Sequence, residues 1–393
     1  MNRLVTHNTD GVTPGTLPPL QREQGKTRIL FISSVILGFK RYAESLERFT
    51  ADRDDIDAVH VRIRNPFPMR VASMTWPLPR GWDFHSYRYL MLSDWYIRRW
   101  FRSAIDPDRF DLIHWITQGN ARPINAIKRR SKVRHAVNID TTSILDLSEY
   151  GYSPLARKPF IREERRIFDL ADAVVCRNHW ATHSLRDDFN LSESKIIAAP
   201  NSIDLPEAHR WDNVDRGVPH DSLPRLVFVG NDWARKGADM LLRVHQQRFA
   251  GRAELHFIGD RHERDDNAKN VVWHGRQDHL RVRNELLPSM DVFVFPTVED
   301  MMPWATIEAA GAGLPSIASR VAAIPDVILH EQTGLLHPPR DEQGLADAIE
   351  TMISDPALRE QYGRAARAHI EQGFNASRTY PMLLDRLCEI AGG

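Results

Sequence analysis

Three carboxylates mark the stretch of this chain best suited to chemistry. Residues 296–315 read PTVEDMMPWATIEAAGAGLP, with Glu299 and Asp300 adjacent and Glu308 eight residues beyond Asp300. The apolar run DVFVF precedes them and reads as a buried strand, which places Glu299 and Asp300 in the loop at its carboxyl end. ATIEAAGAG then reads as the first part of a helix, with Glu308 inside it. Ala309, Ala310 and Gly311 are small enough to let that helix pack tightly on a sheet. Backbone N–H groups at a helix start and in the loop before it attract anions, phosphates above all. Carboxylates beside such a site are fixed acceptors, suited to the vicinal hydroxyls of a ribose or a hexose. Carboxylates answering a helix dipole, with no ligand at all, would give the same local pattern.

A second stretch repeats the plan. FVGNDWARKGADMLL is again strand, loop and helix, with Lys236 and Gly237 at a helix start. Lysine supplies a point charge for a phosphate, and glycine permits close backbone approach. A solvated surface lysine is the commoner fate of any single Lys. Two such loops, both at strand carboxyl ends, favour a diphosphate ligand.

Elements able to hold these loops run the length of the chain. At 393 residues it exceeds one ordinary core, so two domains of roughly 150–200 residues are expected. TRILFIS, DAVHVRI, FDLIHWI, VRHAVNI, DAVVC and SKIIAAP read as strands separated by helix-length segments, one of them helical over 42–49. After a polar, proline-punctuated stretch the alternation restarts with RLVFVG, AELHFIG, NVVWHG, DVFVFP and LPSIAS. DPALREQYGRAARAHIEQ is strongly helical. The expected organisation is a flexible polar arm over 1–26 and a first Rossmann-like domain over 27–205. A linker over 206–224 and a second such domain over 225–375 follow, and a last helix over 376–393 crosses back to the first domain. In open α/β sheets ligands sit at the carboxyl ends of the strands.

Bulk properties exclude several classes. Lys plus Arg and Asp plus Glu balance at 52 each, which gives no footprint for nucleic acid. Cys176 and Cys388 are too few for a disulfide framework or a zinc cage, in keeping with a reducing, cytoplasmic setting. Residues 1–26 lack the apolar core of a signal peptide, and no stretch approaches the ~18–20 apolar residues of a membrane-spanning helix. DRDDID at 52–57 and DPD at 106–108 precede strands instead of following them, so they read as solvated charge and no metal is expected.

In combination, FVGNDWARKG, EDMMPWATIEAAGAGLP and EQTGLLHPPRD resemble the phosphate loop, the acid-x7-Glu motif and the following turn of retaining glycosyltransferases with the GT-B fold, glycosyltransferase family 4. The likeness spans roughly residues 27–391 and is strongest after Pro224. It implies an α/β chain of two Rossmann-like, doubly wound domains facing a central cleft, the second holding a nucleotide-sugar donor and the first an acceptor. Carried over by position, Glu308 resembles the glutamate that holds the nucleotide ribose. Asp300 falls where an acid faces the donor sugar, and Glu299 could share that job. Lys236 matches the diphosphate lysine, beside Gly230. Asn231 stands where the family usually has arginine, so Arg235 is the candidate replacement. Met301, Met302, Pro303 and Trp304 lie where the loop backbone meets phosphate and sugar, and Arg276 falls near the base pocket. On the acceptor side the resemblance points to Gly38 and Arg41 at the first helix, and to Asp140, preceded by Ile139 where a histidine is frequent. Asp140 orients or deprotonates an acceptor hydroxyl, or caps a turn with Thr141 and Thr142. His114 and residues 118–120 follow a strand and are set down as acceptor-side candidates, although a lone His at a strand end is more often structural.

The implied reaction is hexosyl transfer with retention, catalysed by Asp140, Asp300 and Lys236 without metal or cofactor, from a UDP- or GDP-sugar to a glycan, lipid-linked or small-molecule acceptor. Lys236 and helix-start amides would stabilise the leaving diphosphate, and that phosphate would help deprotonate the acceptor. Residues 62–102 add many Arg, Trp and Tyr, a composition suited to peripheral contact with the inner membrane or to a lipid-diphosphate acceptor, and equally to an ordinary packed insertion. The Asn231 and Ile139 departures fit a non-catalytic GT-B scaffold that binds a nucleotide sugar, and a sugar-nucleotide epimerase is a further GT-B alternative. A nicotinamide oxidoreductase does not fit, because no strand is followed by G-x-G-x-x-G and GAGLP precedes a strand.

Overall fold

The apolar runs become parallel strands because each is short, rich in Val, Ile and Phe, and flanked by segments able to cover both faces of a sheet. The structure, a computed structural model, describes residues 3–5, 25–34, 37–63, 85–206, 223–260 and 267–392. Its chain divides into two units, Met1–Ala199 with Arg378–Gly393, and Pro200–Ser377.

The first unit is built on β1 (Arg3–Val5), β2 (Thr27–Ser34), β3 (Ile56–Ile63), β4 (Leu112–Trp115), β5 (Arg134–Ile139), β6 (Ala173–Cys176) and β7 (Ile196–Ala198). They form one sheet in the order β1-β3-β2-β4-β5-β6-β7, and every pairing is parallel. Helices α1 (Leu37–Ala51), α2 (His85–Ala104), α3 (Ser143–Tyr150) and α4 (Pro154–Leu170) cross between strands. The second unit holds β8 (Arg225–Val229), β9 (Glu254–Ile258), β10 (Val271–Gly275), β11 (Val292–Phe295), β12 (Ser316–Ser319) and β13 (Gly334–His337) in the order β10-β9-β8-β11-β12-β13, again all parallel. Its helices include α5 (Trp233–Lys236), α6 (Ala238–Val244), α7 (Trp304–Gly311) and α8 (Pro356–Gly373), and α9 (Ala376–Gly392) follows.

Each sheet is buried on both faces. In the first unit Leu30, Ile32, Ile113 and Trp115 are inaccessible on one face of the sheet and Ile29, Phe31 and Leu112 on the other, as are Phe228, Phe293, Phe295 and Ile317 in the second. Each such side chain stabilises its fold by about 1.5–3 kcal/mol.

The observed boundaries depart from the sequence reading in three places. Arg3–Val5 is not part of an arm but a strand, paired with Val59–Val61 of β3. Without it β3 would present an open edge of unpaired N–H and C=O groups. Residues 200–206 belong to the second unit, because the Ile203 N–H donates to Phe374 O (3.0 Å) and the Ala376 N–H to Ile203 O (2.9 Å). The other break falls inside α9. Tyr380, Leu383, Leu384 and Leu387 form a buried stripe at helical spacing, and Tyr380 stacks on Phe49 at 5.0 Å, which ties that end to the first unit. Most of the expected linker, 207–222, lies outside the described residues.

Candidate functional site

The strand order of the second unit reverses direction between β8 and β11, the point where ligands collect in a doubly wound sheet. The loops leaving these two strands carry the residues singled out above. They are stitched together: the Val298 N–H (2.8 Å) and the Thr297 hydroxyl (3.1 Å) both donate to Arg235 O. Lys236 Nζ lies 3.4 Å from Asp300 Oδ2 and 4.7 Å above the Phe295 ring. Both Lys236 and Asp300 side chains are only 16% exposed, so their attraction is little screened. Arg235 points the same way, with Nη1 donating to Asp300 Oδ2 (3.1 Å) and to Glu299 O (2.6 Å). Partial burial works against the Arg235 charge, but Asp300 and Asp232 outweigh it and raise its pKa. Two cations therefore converge on one carboxylate at the switch point.

Glycine makes that convergence possible. Gly237 has φ +74°, and a Cβ there would stand 2.0 Å from Pro296 O. The close approach that Gly237 permits is thus to the end of β11. A Cβ on Gly230 would meet Lys236 Cδ at 2.4 Å, so the bare backbone at Gly230 leaves the channel along which the lysine stem runs. Asp232 caps α5, accepting from the Arg235 N–H (3.2 Å), and pairs with the Arg235 side chain (2.9 Å).

Pro303 is the N-cap of α7 and supplies no side-chain hydrogen bond to its first turn, while its carbonyl accepts from the Thr306 hydroxyl (2.7 Å). Glu308 is buried one turn into α7. Met301 O accepts from the Ala323 N–H (3.1 Å), and Met302, buried, accepts at O from Asn201 (3.5 Å). These bonds fix the loop backbone between Asp300 and α7. Gly311 adjoins Ile203 and Ile370 of α8 (2.9 and 3.6 Å to a Cβ), so its smallness serves helix packing rather than contact with the sheet. Asn231 Oδ1 accepts from the Asp260 N–H (3.2 Å), and exposed Arg276 pairs with the Asp260 carboxylate, Nη2 to Oδ2 at 2.6 Å. Both sit at the carboxyl ends of β8–β10, one strand further along.

The first unit carries its own cavity of about 420 Å³, at the ends of β2, β4 and β5, where its strand order also reverses. Asp140 lines it, directly after β5. Burial pushes the Asp140 carboxyl up, against the opposing pull of Arg177 and of the Asp140 and Thr141 amides. Thr142 caps α3, its hydroxyl accepting from the Leu145 N–H (3.3 Å), while Asp140 both lines the cavity and holds the turn through the Asp140 and Thr141 amides. From the first helix Phe39 reaches the cavity, whereas Arg41 is half-buried near Tyr380; the surroundings of Gly38 lie outside the described residues.

His114 does not reach any surface. It lies inside β4, fully buried, its Nε2 3.3 Å from Tyr42 Oη, and desolvation lowers its pKa to about 3. A neutral core histidine is what a strand covered on both faces can accommodate. Helix α4, by contrast, contributes Arg157, Phe160, Glu163 and Glu164, which sequence reasoning missed. Glu164 is buried, accepting from the Ser143 N–H and hydroxyl (2.9 Å each), and desolvation raises its pKa to about 7. The only signal was a carboxyl within an otherwise charge-alternating helix, which reads as surface.

Of the Arg- and aromatic-rich segment, 64–84 lies outside the described residues. In α2, Trp100 and Phe101 are buried, whereas Trp95 (63%), Met91 (59%) and Leu92 (43%) are exposed. No helix among the described residues is long and apolar enough to cross a membrane, and none of their His, Cys, Asp and Glu side chains group in threes to hold a metal.

A family described as "Glycosyltransferase Family 4" matches residues 38–207, and one described as "Glycosyl transferases group 1" matches 223–355. The chain is 33% identical over 285 residues to a glycogen synthase of Mycobacterium tuberculosis (68% of this chain, 66% of that protein). It is 27% identical over 263 residues to a D-inositol 3-phosphate glycosyltransferase of Pseudarthrobacter chlorophenolicus (61% of this chain), of whose length it spans 60%. Anabaena HepE, solved in complex with UDP, superposes with a TM-score of 0.64 at 14% identity, covering 92% of this chain and 100% of that one, a likeness of fold. Two parallel doubly wound units, with the motif-bearing loops at the switch point of the second, are the GT-B architecture. The chain belongs to the group 1, family 4 glycosyltransferases.

Proposed function

We propose that this protein transfers a hexosyl group, with retention of configuration and without a metal, from a nucleoside-diphosphate sugar to a hydroxyl of an acceptor. The observation that carries the reading is the convergence of Lys236 and Arg235 on Asp300 at the switch point, beside the start of α7. In this reading the donor diphosphate takes the place that Asp300 now holds between the two cations, and helix-start amides complete its shell. Arg235 supplies the second cation that Asn231 cannot. Its direction favours a working donor site over a scaffold. Asp300 and Glu299 then accept hydroxyls of the sugar, and Glu308 those of the ribose. As the sugar–phosphate bond breaks, charge develops on the leaving oxygen. Lys236 and Arg235 stabilise it there, in surroundings dry enough for the attraction to be strong. Asp140 orients the acceptor hydroxyl, and the leaving phosphate receives its proton. The UDP complex of HepE and the transferase names of the curated relatives support the donor class.

The test is incubation with radiolabelled UDP-glucose, GDP-mannose and ADP-glucose, with and without mixed acceptors. Transfer or slow hydrolysis of one donor, lost in Lys236→Ala and Glu308→Gln proteins of unchanged Tm, supports the proposal. No turnover and no thermal shift with any of the three would refute it.

A further inference from the structure

The wall of the first unit's cavity carries more acids than cations, and that imbalance speaks to what it takes. Asp146 Oδ2 pairs with Arg157 Nη2 at 3.3 Å, with both side chains nearly out of solvent. Arg157 is further fixed by packing over Tyr152 (3.9 Å) and Phe160 (5.3 Å). Glu163 is matched by Arg166 and Arg98, and Asp140 by Arg177. Arg122 and Glu164 complete the charged groups of the wall. Carboxyls thus outnumber guanidiniums on the lining, and the best-placed guanidinium already has its partner. A phosphate entering here would meet four carboxyls, Asp140, Asp146, Glu163 and Glu164, against two guanidiniums, Arg122 and Arg157.

The same wall is well furnished for hydroxyls. Carboxylate, amide and guanidinium groups alternate as acceptors and donors, and Gln118 bridges Thr141 O (3.0 Å) and Glu164 (3.4 Å). Phe39 and Phe160, both half-buried, offer apolar faces to ring C–H groups. The volume, about 420 Å³, lies in the range of small-ligand sites.

Resting on the glycosyltransferase reading above, we infer that this cavity is the acceptor subsite for a neutral polyhydroxylated ring, and that the Asp146–Arg157 pair is the element that rejects phosphorylated acceptors. The selectivity is opposite to the acceptor written into the name of the D-inositol 3-phosphate glycosyltransferase relative. Neutralising Asp146 would release Arg157 and turn the subsite towards anions.

Saturation-transfer NMR on the full-length protein, with UDP present and absent, tests this with myo-inositol, glucose, myo-inositol 1-phosphate and glucose 6-phosphate as probes. At least one neutral probe is expected to bind, at least tenfold more tightly than its phosphate ester, and Phe160→Ala should weaken it. Asp146→Asn should narrow or invert the ratio through a gain of about tenfold for the ester. Tighter binding of the ester by the wild-type protein, binding of neither class, or an unchanged ratio in folded Asp146→Asn overturns the inference. UDP affinity in the same samples separates the two readings. Its loss in the wild-type protein counts against the glycosyltransferase function, whereas intact UDP binding with the wrong acceptor ratio counts against this inference alone.

Discussion

Substituting Gly237 by alanine probes the joint on which the second unit's two loops depend. Its φ of +74° costs a non-glycine residue about 1–2 kcal/mol. The added Cβ would also stand 2.0 Å from Pro296 O and 2.8 Å from Pro296 C, backbone atoms that no rotamer change can move aside. The loop must therefore shift, and the total cost should reach about 2–4 kcal/mol. For a unit of this size that is a fall of roughly 5–15 °C in Tm. Pro296 leads directly into the segment carrying Asp300, and Gly237 directly follows Lys236. The same displacement should therefore separate the lysine from the loop it now touches at 3.4 Å. UDP affinity, measured by calorimetry at a temperature where the variant is folded, should fall at least tenfold, or about 1.4 kcal/mol. Gly251→Ala is the control: nothing lies within 4 Å of its Cβ position, and its effect should stay within about 0.5 kcal/mol. If Gly237→Ala matched that control in both Tm and UDP affinity, the argument from close approach would be wrong.

Other consequences can be measured on stability alone. His60, His114 and His135 are buried in the first unit with pKa values lowered to about 3 by desolvation, so each is neutral when folded and protonates on unfolding below its ordinary 6.5. Stability should hold above pH 6.5 and decline as pH falls from there towards 3, by about 2 kcal/mol per histidine at pH 5. Denaturant titrations should show a shallower acid slope in His114→Gln, and an identical slope would contradict the assignment. Glu164 has the opposite sign: its pKa, raised to about 7 by burial, means stability present below about 4.5 and lost as pH rises through 7. Glu164→Gln should accordingly gain up to about 3 kcal/mol over the wild type at pH 8.5 relative to pH 4.5, as the difference of the two unfolding curves. Removing the α5 cap in Asp232→Ala should cost about 1 kcal/mol, together with a drop in UDP affinity as Arg235 loses its brace; unaltered affinity would argue that Arg235 is not a donor-site cation.

Most of the scaffold could be read from the chain because a parallel strand buried on both faces has to be a short apolar run. All eleven runs picked out on that ground are strands of the two sheets. Gly334–His337 and Arg3–Val5 do not show as strands in the sequence, since three or four residues at a sheet edge carry too little periodicity to stand out. In the two loops of the second unit, the direction of Arg235 depends on how 232–237 folds against 296–300, which no local pattern encodes. His114 went astray for a related reason: the sequence marks a strand end only to within a residue or two, and His114 lies just inside it. The first unit's cavity was legible only through Asp140, because its far wall comes from α4, whose buried Glu164 and paired Arg157 look like any solvated helix charge until the tertiary contacts form.

Calorimetric titration of the full-length protein with UDP, GDP and ADP, repeated on Lys236→Ala, tests the proposed donor site most directly. One nucleoside diphosphate should bind one-to-one, and the alanine variant should bind it at least tenfold more weakly with Tm unchanged. Failure of all three to bind, or equal affinity in the variant, would contradict a diphosphate held at Lys236.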